Sequence, residues 1–258
     1  ISAGVAQIVS AYPSLDPYRV QIAVGAVMLV MLINLRGVKE SGTAFAIPTY
    51  FFVMMMFITV GVGLFRYFSG SLGMVVDPPE VHLAETLVPV TAFLILHAFA
   101  NGTTALTGVE AISNGITAFK EPRSRNAGIT LIWMSVILGT LFISISYLTG
   151  KIGGVFSEEE TIVSQLTRTI FDGRGPMYLA TIGATTVILL MAANTAFADF
   201  PRLSALAAGD GFLPRQLTFR GSRLVYSNGI VTLSIIASIL IILFKASVTL
   251  LIPLYAIG

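Results

Sequence analysis

One apolar run, at residues 88–119, most constrains what this chain can fold into. As a continuous helix it would be about 48 Å long, whereas the hydrocarbon core of a bilayer is only about 30 Å thick. Its ends are apolar, but residues 101–115 contain Asn, Gly, Thr and Ser around a single acid, Glu110. An ionised carboxylate at membrane depth costs about 3 kcal/mol or more. We therefore predict a helix that is interrupted inside the membrane, with a binding site at the interruption.

The composition places the chain in the membrane class. Hydrophobic residues make up 55% and charged residues 11%, whereas soluble domains carry about 25% charged residues. The mean hydropathy is +0.87. A net charge of +2 gives no support to nucleic-acid binding. Because the chain has no cysteine, it has neither a disulfide framework nor a thiolate metal site. We expect an all-α integral membrane protein without a bound cofactor.

Six long apolar segments lie between two half-length ones. These segments are about as long as a membrane-spanning helix and lack the period-two alternation of barrel strands, so we expect helices. We interpret the chain as a single transmembrane domain, cut at both ends out of a longer membrane protein. The predicted spans are residues 1–11 (partial), 18–35, 43–65, 88–119 (interrupted), 127–148, 177–198, 225–244 and 248–258 (partial).

The basic residues predict an orientation. Alternate connections hold nine of the fifteen, and the positive-inside rule assigns that side to the cytoplasm. The linker at residues 150–175 would then lie outside. We expect the acidic run at residues 158–160 to cap a short surface helix in that linker.

Glu110 and its neighbours are the candidate site residues. No basic residue lies in the interior of a predicted span to neutralise Glu110, which favours proton coupling or cation binding over a structural acid held by a buried partner. Thr107 precedes it by three positions and shares its helix face. The Thr107 hydroxyl could bind a cation or bond to its own helix carbonyl, and both interpretations stay open. Gly108 could free a carbonyl or admit another helix.

Other polar residues in the apolar segments favour structural roles. We expect His97 to pack or to form an interhelical hydrogen bond. We expect Asn194 and Thr195 to link helices by hydrogen bonds. Residues 199–202 (DFPR) predict a turn where the helix leaves the membrane, followed by a short amphipathic helix and a Gly-Pro turn.

Three motifs resemble the amino acid–polyamine–organocation (APC) superfamily and occur in its order. Its sixth helix is similar to GVEAISNGITAFKEPRSRNA, its eighth to NTAFADFPRLSALAAGDGFLPRQ, and its fourth-helix exit to NLRGVKESG. The resemblance covers essentially the whole chain. It implies a LeuT-like transporter bundle of five plus five inverted-repeat helices, present here from within helix three to within helix ten. In that fold helices one and six are interrupted at the substrate.

Within the superfamily, TALTGVEAISNG, FADFPRLSALAAGDGFLPRQ and LIPLYAIG are most similar to the KimA-type potassium importers, which are related to the Kup family. That resemblance implies a potassium ion near Thr107 and Glu110, with Tyr255 nearby, Ser2 as a further ligand and Gly108 in the same site. Glu110 would be the proton-coupling acid. Amino acid permeases share the Gly-apolar-Glu element, so Glu110 does not select the substrate. Helix one, which carries the other half of the site, lies outside this chain.

These observations favour a secondary active transporter of the cell membrane that takes up potassium with protons. The alternative is a proton-coupled amino acid or amine permease on the same fold. An intramembrane enzyme is disfavoured, because the spans contain no His-rich metal motif and no Ser paired with a plausible base. A passive channel would use a ring of carbonyls or acids rather than one titratable group. The expected partners are a small cation or small-molecule substrate and the bilayer, with a homodimer left open.

Overall fold

The computed structural model of this chain describes residues 1–37, 42–79, 90–102, 112, 116, 119–221 and 226–257. Within these ranges the structure is helical and contains no strand, so the all-α prediction is confirmed there. The α-helices are α1 (Ser2–Ala11), α2 (Arg19–Leu35), α3 (Gly42–Phe68), α4 (Ala92–Gly102), α5 (Arg123–Ile152), α6 (Ile162–Ile170), α7 (Pro176–Gly209), α8 (Ser227–Leu243) and α9 (Val248–Ile257). Two short 3-10 helices lie at Pro13–Tyr18 and Arg215–Thr218.

Among the described residues, four helical stretches are long and apolar enough to cross a bilayer. A helix satisfies its own backbone hydrogen bonds, which lipid cannot do, so long apolar runs adopt this form in membranes. The candidates are Pro13–Leu35, Phe45–Phe68, Arg123–Ile152 and Pro176–Gly209. This agrees with the predicted membrane class.

The long helix α7 lies at the centre of the bundle. It packs against α1, α2, α3, α6 and α8. Aliphatic side chains from α1, α2 and α8 meet Phe197 of α7 in the main core cluster. A second cluster joins the end of α5 to α6 and contains Leu148, Ile152, Leu166 and Ile170.

The predicted exit turn at residues 199–202 is wrong. Helix α7 continues without a break through Pro201 to Gly209. Pro201 is buried against α8, where a Cβ added at Gly229 would lie 2.8 Å from the Pro201 Cα. Packing against a bare glycine backbone therefore keeps this helix inside the bundle beyond the apolar run. The chain turns only after α7, at Gly211, whose φ of +86° suits glycine.

The predicted role of the acidic run at residues 158–160 is also wrong in part. A short helix, α6, does follow the run, but Thr161 is its N-cap, with Oγ1 accepting from the Ser164 backbone N–H at 3.3 Å. Glu160 instead turns inward and forms a salt bridge with Arg168, with Oε1 2.8 Å from Nε. Six of the nine residues of α6 are buried, so it is not a surface helix. Its Ser and Thr side chains find partners inside the bundle, which is why a polar segment can lie there.

Candidate functional site

Three of the predicted site residues, Thr107, Gly108 and Glu110, lie outside the described residues. Helix α4 ends at Gly102, just before them. Ser2 lies in the first turn of α1 and is buried, with 8% of its surface exposed. Tyr255 lies in the last turn of α9, and its side chain is outside the described part of the chain.

Helix α9 brings the elements of the predicted site together. It packs against α1, which carries Ser2, and against α4, which leads towards Thr107 and Glu110. Tyr255 lies on α9 itself. Positions 2 and 102 thus belong to two helices, α1 and α4, that each contact the helix of Tyr255. The predicted site itself and the interruption expected among residues 101–115 stay predictions.

The cleft that contains Ser2 has a volume of about 250 Å³. Small residues on α7 and α8, among them Ala193, Ala196 and Ala237, leave room for it. Ser2 is the only polar side chain among the described residues that line this cleft. Selective ion binding requires several oxygens to replace the hydration shell. Ser2 alone cannot hold a cation, so further oxygens would have to come from the residues after Gly102 or from outside this chain.

A second cleft, of about 180 Å³, lies between α1 and α9 on the predicted outer side of Ser2. We call it the α1–α9 cleft. Unlike the first, it has several polar side chains in a mainly apolar lining, among them Gln7, Arg19, Glu158, Thr161 and Thr249. The Oε1 atom of Gln7 accepts a hydrogen bond from the Thr161 hydroxyl at 3.0 Å. Both clefts border α1: Ser2 lines the first, and Ala3, Ala6 and Gln7 line the second.

Sequence reasoning missed Gln7 as a residue of interest. The available signal was a glutamine in an otherwise apolar stretch, ISAGVAQIVSAY. Its partner Thr161 lies 154 positions away, so no local pattern connects the two.

A third cleft, of about 620 Å³, lies between α6 and the segment that follows α3. Its charged side chains bind one another and the backbone. Arg168 donates to Glu160 and also to the carbonyls of Val76 and Asp77. Arg66 likewise donates to Asp172 at 2.7 Å and to the Ile170 carbonyl at 2.6 Å. We interpret these contacts as cross-links that hold α6 in place.

For two of the residues given structural roles above, Asn194 and His97, the structure shows a contact that bears on the role. Asn194 accepts a hydrogen bond from Asn34 of α2 at 2.5 Å, so its predicted interhelical role is confirmed. The ring of His97 stacks on Phe93 within α4, with centroids 6.1 Å apart, consistent with a packing role.

Comparison with known proteins agrees with the resemblance seen in the motifs. The model of a family described as amino acid permease matches residues 1–258. A potassium transporter, KimA of Bacillus subtilis (strain 168), is 45% identical over 260 residues. That alignment covers 100% of this chain and 42% of the relative, so the chain spans less than half of the relative's length. The match extends over every element described above, and the chain therefore belongs to the amino acid permease family.

Proposed function

We propose that the full-length protein is a secondary active transporter that takes up potassium together with protons across the cell membrane. The observation that carries this proposal is the 45% identity, over the whole chain, to a protein named as a potassium transporter. The aligned region includes the motif TALTGVEAISNG, on which the potassium site was predicted. The lipid bilayer and a small cation are the partners that this function requires.

The scaffold of the proposal is the LeuT-like bundle with its interrupted sixth helix. The length of residues 88–119 supports the interruption, because one straight membrane-spanning helix would need fewer residues. The packing of α9 against both α1 and α4 supports a shared site at that level. The other half of the site would come from helix one, which precedes these residues.

Within this site we assign Glu110 to proton coupling and to the ion. A carboxyl that is protonated while neighbouring oxygens hold the cation would carry both in the same direction, as uptake of potassium together with protons requires. Thr107, Ser2 and Tyr255 would add hydroxyl oxygens, and a helix opened at Gly108 would add carbonyls. Such a mixture of oxygen ligands suits a weakly hydrated monovalent cation.

A second candidate is a proton-coupled amino acid or amine permease. The observation in its favour is the family model, whose description is amino acid permease. The two candidates differ in the group that would bind near Glu110. A potassium transporter would bind a bare cation, and an amino acid permease would bind an ammonium group together with its carboxylate. Competition between potassium and amino acids for uptake therefore separates them.

The test is uptake of potassium by the full-length protein reconstituted in proteoliposomes. We expect an inward proton gradient to drive uptake, and an excess of amino acids to leave it unchanged. Glu110→Gln should abolish proton-driven uptake, whereas the matched control Glu121→Gln, whose side chain is 74% exposed, should not. Thr107→Ala should raise the apparent KM for potassium more than it lowers the maximal rate, and exposed Thr130→Ala serves as its control.

Two results would contradict the proposal. Uptake that keeps its pH dependence in Glu110→Gln would remove Glu110 from coupling. Amino acid uptake without potassium uptake would favour the permease. Light scattering of the reconstituted protein would decide whether it forms a homodimer.

A further inference from the structure

The connection from α7 to α8 combines positive charge with an exposed aromatic side chain. Between Gly211 and Asn228 the sequence contains three arginines and no acidic residue. Of this stretch the structure describes residues 211–221 and 226–228, and we call the first range the basic loop. Phe219 in the basic loop is 63% exposed, and arginines lie on both sides of it, at positions 215 and 220.

Side-chain contacts hold the basic loop against the first turn of α8. Asn228 Nδ2 donates a hydrogen bond to the Gln216 carbonyl at 2.7 Å, and Arg220 Nη2 donates one to the Tyr226 hydroxyl at 2.8 Å. The Arg220 guanidinium also lies over the Tyr226 ring, with its Cζ 4.9 Å from the ring centroid. Tyr226 and Asn228 flank the first residue of α8, so residues 216–220 lie at the level at which this helix begins.

A third arginine reaches the same level from α7. Pro201 packs against Gly229, the third residue of α8, so the neighbouring Arg202 lies beside the first turn of α8. Arg202, Arg215 and Arg220 are all exposed. Among the described residues, no acidic side chain forms a salt bridge with any of these three arginines. Their positive charges are therefore not neutralised within the described part of the chain.

The length of α8 indicates how deep this level lies in the bilayer. Its 17 residues form a helix about 26 Å long, slightly shorter than the hydrocarbon core of about 30 Å. A helix this short needs its whole length to cross the core, so its first turn lies at the edge of the core. The distribution of basic residues predicts that this edge is the cytoplasmic one. The basic loop and Arg202 are therefore expected in the headgroup layer of the cytoplasmic leaflet.

The chemistry of that layer suits these side chains. Cytoplasmic leaflets contain anionic phospholipids, and each arginine near the surface strengthens binding to them about fivefold. A guanidinium presents a planar fork of donors that matches the oxygens of a phosphate group. An exposed phenylalanine beside such arginines can insert at the boundary between headgroups and acyl chains.

We propose that the basic loop and Arg202 form a binding site for the headgroups of anionic phospholipids, with Phe219 in contact with the acyl chains. Arg202, Arg215 and Arg220 bind the phosphate groups in this site. The proposal goes beyond the transport function and does not depend on it, because it concerns how this end of the bundle meets the membrane.

Quenching of a tryptophan in the basic loop by brominated lipids measures both its contact with the bilayer and its preference for a headgroup. The chain contains one tryptophan, so Trp133→Phe together with Phe219→Trp supplies a unique reporter here, once tryptophans elsewhere in the full-length protein are replaced. The full-length protein is reconstituted in vesicles of phosphatidylcholine and phosphatidylglycerol, with bromine on the acyl chains of one lipid at a time. We expect phosphatidylglycerol to be favoured by about fivefold or more. This preference should fall as salt is added, because exposed charges are screened.

Substitutions of single arginines assign the preference to the site. Arg215→Gln and Arg220→Gln should each reduce it about two- to fivefold, whereas Arg215→Lys keeps the charge and should retain most of it. The matched control is Arg125→Gln, which removes one exposed charge from α5, a helix that packs against α3 and α6. It should leave the preference unchanged. Leu213→Trp provides a second reporter if Phe219→Trp disturbs folding.

A preference that is lost in Arg215→Gln combined with Arg220→Gln, but kept in Arg125→Gln, would support the proposal. Reporters that neither brominated lipid quenches would overturn it, because the basic loop would then lie against protein or water. Equal quenching by the two lipids, or a preference that survives replacement of all three arginines by glutamine, would also overturn it.

A last measurement separates lipid headgroups from free phosphate. At equal ionic strength, inorganic phosphate should reduce the preference no more than chloride does. A stronger effect of phosphate would overturn the assignment to lipid. None of these measurements uses transport, so a protein that takes up no potassium would reject the function proposed above and leave this result unaffected.

Discussion

Replacing Gly229 by alanine tests the contact that keeps α7 and α8 together. The new Cβ would lie 2.8 Å from the Pro201 Cα, 2.9 Å from its Cβ and 3.3 Å from Ser204 Oγ. The Pro201 atoms belong to a backbone and a ring, so they cannot rotate away. Overpacking of this kind costs about 1–3 kcal/mol, and the higher helix propensity of alanine returns at most about 1 kcal/mol. Relative to an alanine substitution at an uncrowded helix position, which gains the same propensity, we expect a loss of about 1–3 kcal/mol in stability.

The measurement is thermal unfolding of the full-length protein in detergent, followed by fluorescence-detected size exclusion. Gly25→Ala in α2 is the matched control, because its Cβ would meet nothing within 4 Å. We expect Gly25→Ala to leave the Tm unchanged or to raise it, Gly229→Ala to lower it, and Gly229→Val to lower it further. A Gly229→Ala protein as stable as Gly25→Ala would refute the reasoning, since the close approach to Pro201 would then carry no cost.

Two further predictions concern buried polar contacts. Gln165 is fully buried and bonds to the Val155 N–H, the Val155 carbonyl and the Glu160 carbonyl, so Gln165→Leu should cost about 2–5 kcal/mol. Exposed Gln21→Leu is its control in the same unfolding assay, and equal losses would argue against these bonds. The bond from Asn34 to Asn194 should give a coupling of about 0.6–1.7 kcal/mol in a double-mutant cycle with leucine. A coupling of zero would mean that the helices pack equally well without it.

The hydropathy of the chain was sufficient to predict that it is an all-α membrane protein. In lipid, an apolar run near bilayer length satisfies its backbone hydrogen bonds by forming a helix. The all-α membrane prediction therefore needed no tertiary information. The interhelical role of Asn194 followed from the same reasoning, because a lone amide in an apolar helix needs a partner. The boundaries of elements were harder to predict. Asp199, Pro201 and Arg202 have the composition of a turn, but packing of Pro201 against Gly229 keeps them in a helix.

For the candidate site, the sequence supplied the residues, and the structure shows which helices pack against the helix of Tyr255. Glu110 stood out because a lone acid in an apolar run is expensive, which is a property of sequence alone. That the helix of Ser2 and the helix of Tyr255 pack together could not be read from positions separated by about 250 residues. Gln7 was passed over for the same reason, since its partner Thr161 comes from a distant linker.

The sequence by itself determined the membrane class, the helical content and the family, because these depend on local hydrophobicity and on motifs contiguous in the chain. Only the tertiary structure decided which polar residues meet, among them Glu158 with Arg19 across 139 positions. Such pairs depend on how the helices pack. The sequence around one partner does not indicate which distant residue it will meet. Backbone hydrogen bonding and hydrophobicity are properties of each segment by itself, whereas contacts between helices exist only once the segments pack together.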